Sequence, residues 1–317
     1  MPFVPKVSAY NAKINTLVIG TGEKALKLGG NNTLPFYEFD AVSENKPAIG
    51  VEISDLALEE YVQPGLKSFY EGCDTIPAMA KKAQEIPGAS FITLTLASAD
   101  PNGANTSVED CVALVKEVAD AIELPLAVAG CKNIEKDAEL FNKISEALTG
   151  KNILVLSARE ENYKTIGASA GLAYGQKVGA ESAVDINLAK QLNTIMLQLG
   201  VSADAIAIQA GSAAAGYGYE YVASTLDRIK NAALQAADTQ LQMPIVTPVS
   251  AETWAVKEST LPQEEQPEWG DPEQRGIEME ITTASACLAC GSDAVILRHP
   301  ESIKTIARMI DALTEVK

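Results

Sequence analysis

Eight times along the chain, a short apolar run rich in β-branched residues is followed by a stretch with helical spacing. The runs are Ala48–Ile53, Ser90–Leu96, Pro125–Ala129, Asn152–Leu156, Lys177–Ala180, Ala205–Ile208, Pro244–Thr247 and Asp293–Leu297. Strand–helix alternation demands a parallel sheet, because each helix must return the chain before the next strand can start. Eight units are the number that closes such a sheet into a barrel and removes its edges. The sequence therefore predicts an α/β TIM barrel, (βα)8, over 41–317, preceded by an N-terminal extension over 1–40. A doubly wound open sheet would need edge strands and a switch point, and neither can be located.

Several helices carry punctuation. Thr106 and Glu109 have capping-box spacing, and Val108, Cys111, Val115 and Ile122 form one stripe behind them. Asp185 is a good N-cap, Leu188, Leu192, Ile195 and Leu199 share a face, and Gly200 ends that helix. The last helix begins at Pro300, and Ile303, Ile306, Ile310 and Leu313 are expected to face inward. Two segments fall outside the repeat. Residues 14–40 hold two alternating runs around Gly20–Thr21–Gly22, expected as a hairpin plugging the N-terminal end of the barrel. Residues 248–280, including LPQEEQPEWGDPEQRG, form a long insertion after the seventh strand. It follows the carboxyl end of a strand, so it should overhang the barrel mouth as a lid or docking arm.

Composition narrows the function. A formal charge of −17 over 317 residues argues against a nucleic-acid partner, which would need clustered Lys and Arg. No apolar run reaches membrane length, and the opening MPFVPKVSAY lacks a secretory pattern, so a cytoplasmic protein without a membrane anchor is expected. Five scattered cysteines, an odd number, suggest reduced thiols. Cys287-x-x-Cys290 has metal spacing but no second pair, and reads as two small core residues in a helix. With His299 as the one histidine, no histidine metal cluster can form, and no motif for a four-cysteine iron–sulfur cluster is present. Dinucleotide and phosphate-binding glycine loops are missing too.

The conspicuous polar residues gather after strands, where barrels build their sites. Asp100-Pro-Asn-Gly103 has the order of a type I turn, which can aim Asn102 inward. Arg159, Asn162 and Tyr163 follow the fourth strand, and Ser182, Asp185 and Asn187 the fifth. Asp185 is explained as a cap, whereas Asn187 has no such structural need. After the sixth strand, Gly211-Ser-Ala-Ala-Ala-Gly216-Tyr-Gly218 is small enough to let a bulky ligand approach the backbone. Trp254 stands in the insertion as a lid candidate, and Arg298 and His299 follow the eighth strand. The expected mouth thus offers amides, hydroxyls and backbone but few acids and bases, which suits a neutral, amide-rich ligand better than acid–base catalysis.

Seven short stretches, in order, resemble one family: the small subunit of the corrinoid iron–sulfur protein, also called the delta subunit of acetyl-CoA decarbonylase/synthase. They are Ile19-Gly-Thr-Gly-Glu-Lys24, Asp100-Pro-Asn-Gly103, Asn162-Tyr-Lys-Thr-Ile166, the run Asp185 to Asn193, Gly216-Tyr-Gly-Tyr-Glu-Tyr221, Pro267-Glu-Trp-Gly-Asp271 and Arg298-His-Pro-Glu301. The resemblance implies a TIM barrel, a non-catalytic subunit paired with a large corrinoid iron–sulfur subunit that carries the cluster. Cobalamin would lie between the two, with no protein ligand to cobalt, so His299 is a poor axial candidate. It further implies methyl carriage from a methyltetrahydrofolate methyltransferase to acetyl-CoA synthase/CO dehydrogenase. Asn102, Asp185, Asn187, Gly211, Gly218 and Trp254 are the expected cobalamin-contacting residues. One departure stands out: after the sixth strand, Gln209-Ala-Gly-Ser-Ala replaces the family's Asp-Pro-Thr-Thr-Gly. The family barrel also resembles pterin-binding methyltransferases, so Asp100, Asn102, Asp185 and Asn187 alternatively imply a barrel that binds methyltetrahydrofolate itself.

Overall fold

Alternation within each strand decides which side chains enter a barrel and which meet its helices. In the computed structural model, which describes residues 8–37 and 43–314, the third strand shows this plainly. Ile49, Val51 and Ile53 of β3 (Ala48–Ser54) pack outward into the strand–helix core, while Ala48, Gly50 and Glu52 point inward. The other parallel strands are β4 (Phe91–Thr95), β5 (Leu126–Ala129), β6 (Leu154–Ala158), β7 (Lys177–Glu181), β8 (Ile206–Gln209), β9 (Val246–Pro248) and β10 (Ala294–Leu297). Their order, β8-β7-β6-β5-β4-β3-β10-β9, is joined end to end by a parallel bridge between Ile208 and Ile245, so the barrel closes.

Strands β1 (Thr16–Ile19) and β2 (Leu26–Gly29) form the N-terminal hairpin. Its Leu17, Ile19 and Leu28 join Phe91, Leu154 and Val246 inside the barrel, plugging the end where the strands begin. The Gly20 amide donates to the Asn152 carbonyl (2.7 Å) and the Asn15 amide to the Gln242 carbonyl (2.7 Å), which fixes the plug to the ends of two βα units. Each fully buried Leu or Phe here contributes about 1.5–3 kcal/mol relative to exposure. The expected boundary at residues 40/41 lies outside the described residues.

Three local expectations need correction. The helix Val108–Ala121 is capped by Ser107, whose hydroxyl accepts from the Asp110 amide (3.0 Å), not by Thr106 with Glu109. Thr106 is still loop, since its amide donates to the Ser98 carbonyl. Leu313 of the helix Pro300–Thr314 is 47% exposed, because a 3.6-residue period carries Thr314, not Leu313, back under Ile310. The helix Pro272–Cys290 starts inside the span 248–280 expected to be loop, with Asp271 as N-cap and Pro272 at the first position. The irregular insertion is thus 249–271, broken by the short helices Ser250–Thr253 and Lys257–Thr260. Elsewhere the punctuation holds. Asp185 caps Ile186–Leu199 by accepting from the Asn187 and Leu188 amides, and Gly200 ends it at φ 107°. Among the described residues no helix is long and apolar enough to cross a membrane.

Candidate binding site

The inward stripe of each strand changes character as it nears the mouth. β3 passes from Ala48 and Gly50 to Glu52, and β4 from Phe91 to Thr93 and Thr95. β7 passes from Gly179 to Glu181, and β8 from Ala207 to Gln209. Apolar residues therefore fill the barrel floor, and a polar layer lies above them. It encloses a cavity of about 110 Å³ whose apolar walls include Ala129, Leu156 and Ile296.

The charges of this layer are arranged in pairs. Glu52, 5% exposed, accepts from the Arg298 guanidinium (3.1 Å) and from the Thr95 hydroxyl (3.0 Å). Burial alone would raise the Glu52 carboxyl, but Arg298 and the hydroxyl donors reverse this and hold it below the usual range. Arg298 also lies 5.1 Å above the Tyr61 ring, whose phenol donates to the Glu52 carbonyl (3.2 Å). Glu181 pairs with Arg159 (2.9 Å) and accepts from the Ser157 hydroxyl, and Glu252 faces Lys132 at 3.7 Å. Asp137 is the exception: it forms no ion pair among the described residues. Its carboxylate accepts from the Cys131 amide (2.8 Å), and burial raises its pKa. Gly130 permits this approach, since a Cβ there would stand 2.2 Å from the Asp137 carboxylate.

The mouth is therefore not poor in acids and bases, contrary to the sequence expectation. Glu52 and Glu181 lie within strands, so position after a strand does not mark them. The signal was the period of two: each stands two positions beyond an inward glycine, Gly50 or Gly179.

Of the expected contact residues, only Gly211 lines the cavity, at φ +83°. Asn102 sits in the Asp100–Gly103 turn, with its amide and side chain both donating to Asp100. Asp185 is engaged as the cap, and Asn187 is exposed in the first turn behind it. Gly218, at φ +90°, is the N-cap of the helix Tyr219–Leu234. Trp254 is 5% exposed and stacks on His299 at 5.9 Å rather than covering the opening. These five lie in loops and helix starts around the mouth and do not converge on the cavity. Asn162 is buried as a local brace, accepting from the Arg159 amide and donating to the Ile134 carbonyl.

His299 has both ring nitrogens engaged: the Glu301 amide donates to Nδ1 (3.2 Å) and Nε2 meets Glu273 at 3.1 Å. All five cysteines are free thiols. Burial pushes Cys131 up to about 11 and Cys287 up to about 12, so neither supplies a thiolate near neutrality.

Geometry defines the chain as a closed (βα)8 barrel with a small, charge-paired cavity at its mouth, and solved structures share that fold. Dihydropteroate synthase from Xanthomonas albilineans, with 4-aminobenzoic acid, aligns with TM-score 0.59 at 13% identity, covering 95% of this chain and all of the other. The enzyme from Vibrio fischeri gives 0.58 at 12% identity, covering 95% of this chain and 99% of its own. Sequence carries the assignment further. Residues 16–301 match the family described as CO dehydrogenase/acetyl-CoA synthase delta subunit. The acetyl-CoA decarbonylase/synthase complex subunit delta of Archaeoglobus fulgidus is 31% identical over 324 aligned positions, covering 98% of this chain and 71% of the relative. Subunit delta 2 of Methanosarcina acetivorans is 32% identical, covering 93% and 67%. The chain belongs to the CO dehydrogenase/acetyl-CoA synthase delta subunit family.

Proposed function

We propose that the chain is a non-catalytic, cytoplasmic subunit of an acetyl-CoA decarbonylase/synthase complex and covers one face of a cobalamin held mainly by a larger corrinoid iron–sulfur subunit. The match of residues 16–301 to the delta family carries this reading. The mouth fits it in three ways. A cavity of about 110 Å³ is well below the roughly 300–1,000 Å³ of pockets that engulf a ligand, so a corrin would rest across the rim. Three of the four carboxyls in the lining are paired with a cation, which leaves Asp137 as the one acid beneath it without an ion pair. His299, the sole histidine, is 3% exposed with both nitrogens engaged, so it offers cobalt no ligand.

Bound cobalamin would supply a nucleophilic cobalt that accepts a methyl group from a methyltetrahydrofolate methyltransferase and passes it to acetyl-CoA synthase/CO dehydrogenase. The chain's own part is to exclude water and fix orientation. The loops bearing Asn102, Asn187, Gly211 and Gly218 frame the rim, Asp185 acts by holding its helix start, and Trp254 supports His299 from behind.

The test is a pull-down with the tagged chain from an anaerobic extract. A larger chain should co-elute and the eluate should show corrinoid absorption in the visible; a colourless eluate with no larger chain would overturn the proposal. A second reading, a barrel that binds methyltetrahydrofolate itself, draws on buried Asp137 and on the free Gln209 Oε1, which suit ring N–H groups. Calorimetric titration with methyltetrahydrofolate decides it, and silence up to about 1 mM removes it.

A further inference from the structure

Four side chains that line the cavity, Thr93, Gln209, Ser212 and Ser250, each hold a buried polar atom without a hydrogen-bond partner, and Gln209 is the one among them that is not a hydroxyl. Thr93 is 2% exposed and Gln209 9%, both line the cavity, and neither the Thr93 hydroxyl nor Gln209 Oε1 has a hydrogen-bond partner. A buried polar atom left unpaired is destabilising, so such atoms are kept where something else satisfies them. Thr93, like the two serines, offers a hydroxyl that can donate or accept, whereas Gln209 Oε1 is an acceptor that needs an N–H.

Charge narrows the occupant. Glu52, Glu181 and Glu252 are each matched by their own cation, Arg298, Arg159 and Lys132. An anion entering the cavity would lose hydration without finding a free cation. The remaining carboxyl, Asp137, is held by the Cys131 amide. Size narrows it again, since about 110 Å³ admits a small planar group and not a ring system of corrin dimensions.

We propose that the cavity is a recognition site for one neutral planar amide, an N–H donor beside a C=O acceptor, read by Gln209 Oε1 and the Thr93 hydroxyl. Two sources present that chemistry. One is a peripheral carboxamide of a corrinoid lying across the rim, which rests on the function proposed above; the other is the lactam edge of a pterin. In either case the ligand's N–H donates to Gln209 Oε1, and its carbonyl accepts from Thr93.

The test is calorimetric titration of the purified full chain with three probes. These are dicyanocobinamide, whose rim carries amides; cobyrinic acid, whose rim carries carboxylates; and 6-hydroxymethylpterin. At least one amide-bearing probe should bind, and cobyrinic acid should bind at least about tenfold more weakly than cobinamide. Thr93→Val and Gln209→Leu should each weaken binding by about five- to tenfold. Neither should lower the melting temperature, because each removes an atom that has no partner in the free chain. Gln209→Glu, nearly the same shape, keeps an acceptor oxygen for the N–H but adds an unpaired charge, and should weaken binding less than Gln209→Leu. Binding of neither amide probe, binding insensitive to all three substitutions, or equal binding of the carboxylate corrinoid would overturn the inference. Pterin binding that depends on Gln209, with no cobinamide binding, would keep the amide site and count against the cobalamin reading. Cobinamide binding that ignores Thr93 and Gln209 would do the reverse.

Discussion

His299 concentrates much of the residue-scale chemistry. Its Nδ1 accepts from the Glu301 amide, so the neutral ring carries its proton on Nε2 and donates to Glu273. Burial lowers its pKa from the ordinary 6.5 and outweighs the opposing pull of Glu273 and Glu301, while Lys304 acts with burial. The unfolded chain therefore takes up this proton first as pH falls, so the stability contribution is present above about 6.5 and lost below it. The urea midpoint should rise between about pH 5 and pH 7.5, and less steeply in His299→Phe, where that proton is missing from both states. Equal slopes for the two proteins would contradict the assignment. At this scale the residues differ in how far their sequence context reveals them. Asp185 and Gly200 announced themselves by chemistry that works locally. Glu52, Glu181 and Gln209 matter only because the barrel turns their faces inward, which a scan of loop residues misses.

Between elements, the joint at Glu273 carries most weight. Its carboxylate accepts from the Gly65 amide (2.9 and 3.0 Å), the Leu66 amide (3.2 Å) and His299 Nε2. It thus ties together the segments that follow β3, β9 and β10. A single side chain thereby anchors the insertion to the barrel at the start of Pro272–Cys290. Nearby, Gly276 lets Trp254 lie flat against this helix, since a Cβ there would meet the indole at 2.3 Å. Removing the carboxylate should loosen the insertion without unfolding the barrel. In Glu273→Ala, hydrogen exchange across 257–271 should speed up by about tenfold or more, as expected for losing about 1–3 kcal/mol of local hydrogen bonding. Unchanged protection there would show that another contact anchors the segment. The strands and most helices were legible from apolar period, whereas this joint was not, because its partners are more than two hundred residues apart for Gly65 and Glu273.

For the whole molecule, closure of eight parallel strands leaves two unlike ends. The hairpin seals one with Leu17, Ile19 and Leu28, and the other holds the polar cavity and the long loops. Of the exposed large apolar residues, Leu58, Val62, Tyr217, Tyr221 and Trp269 lie in loops, short helices or a first helical turn after strands and so belong to the second end. The repeat count was enough to foresee the barrel, and seven ordered motifs foresaw the family. The distribution of polar and apolar groups at the mouth needed the inward register of every strand at once. If this end meets cobalamin and a larger subunit, the most direct measurement is hydrogen exchange on the chain alone and in the corrinoid-loaded complex. Slower exchange in the loops after β4, β7, β8 and β9, with the hairpin Thr16–Gly29 unchanged, is the expected result. Slower exchange confined to the hairpin end, with the mouth loops unaffected, would contradict the central claim.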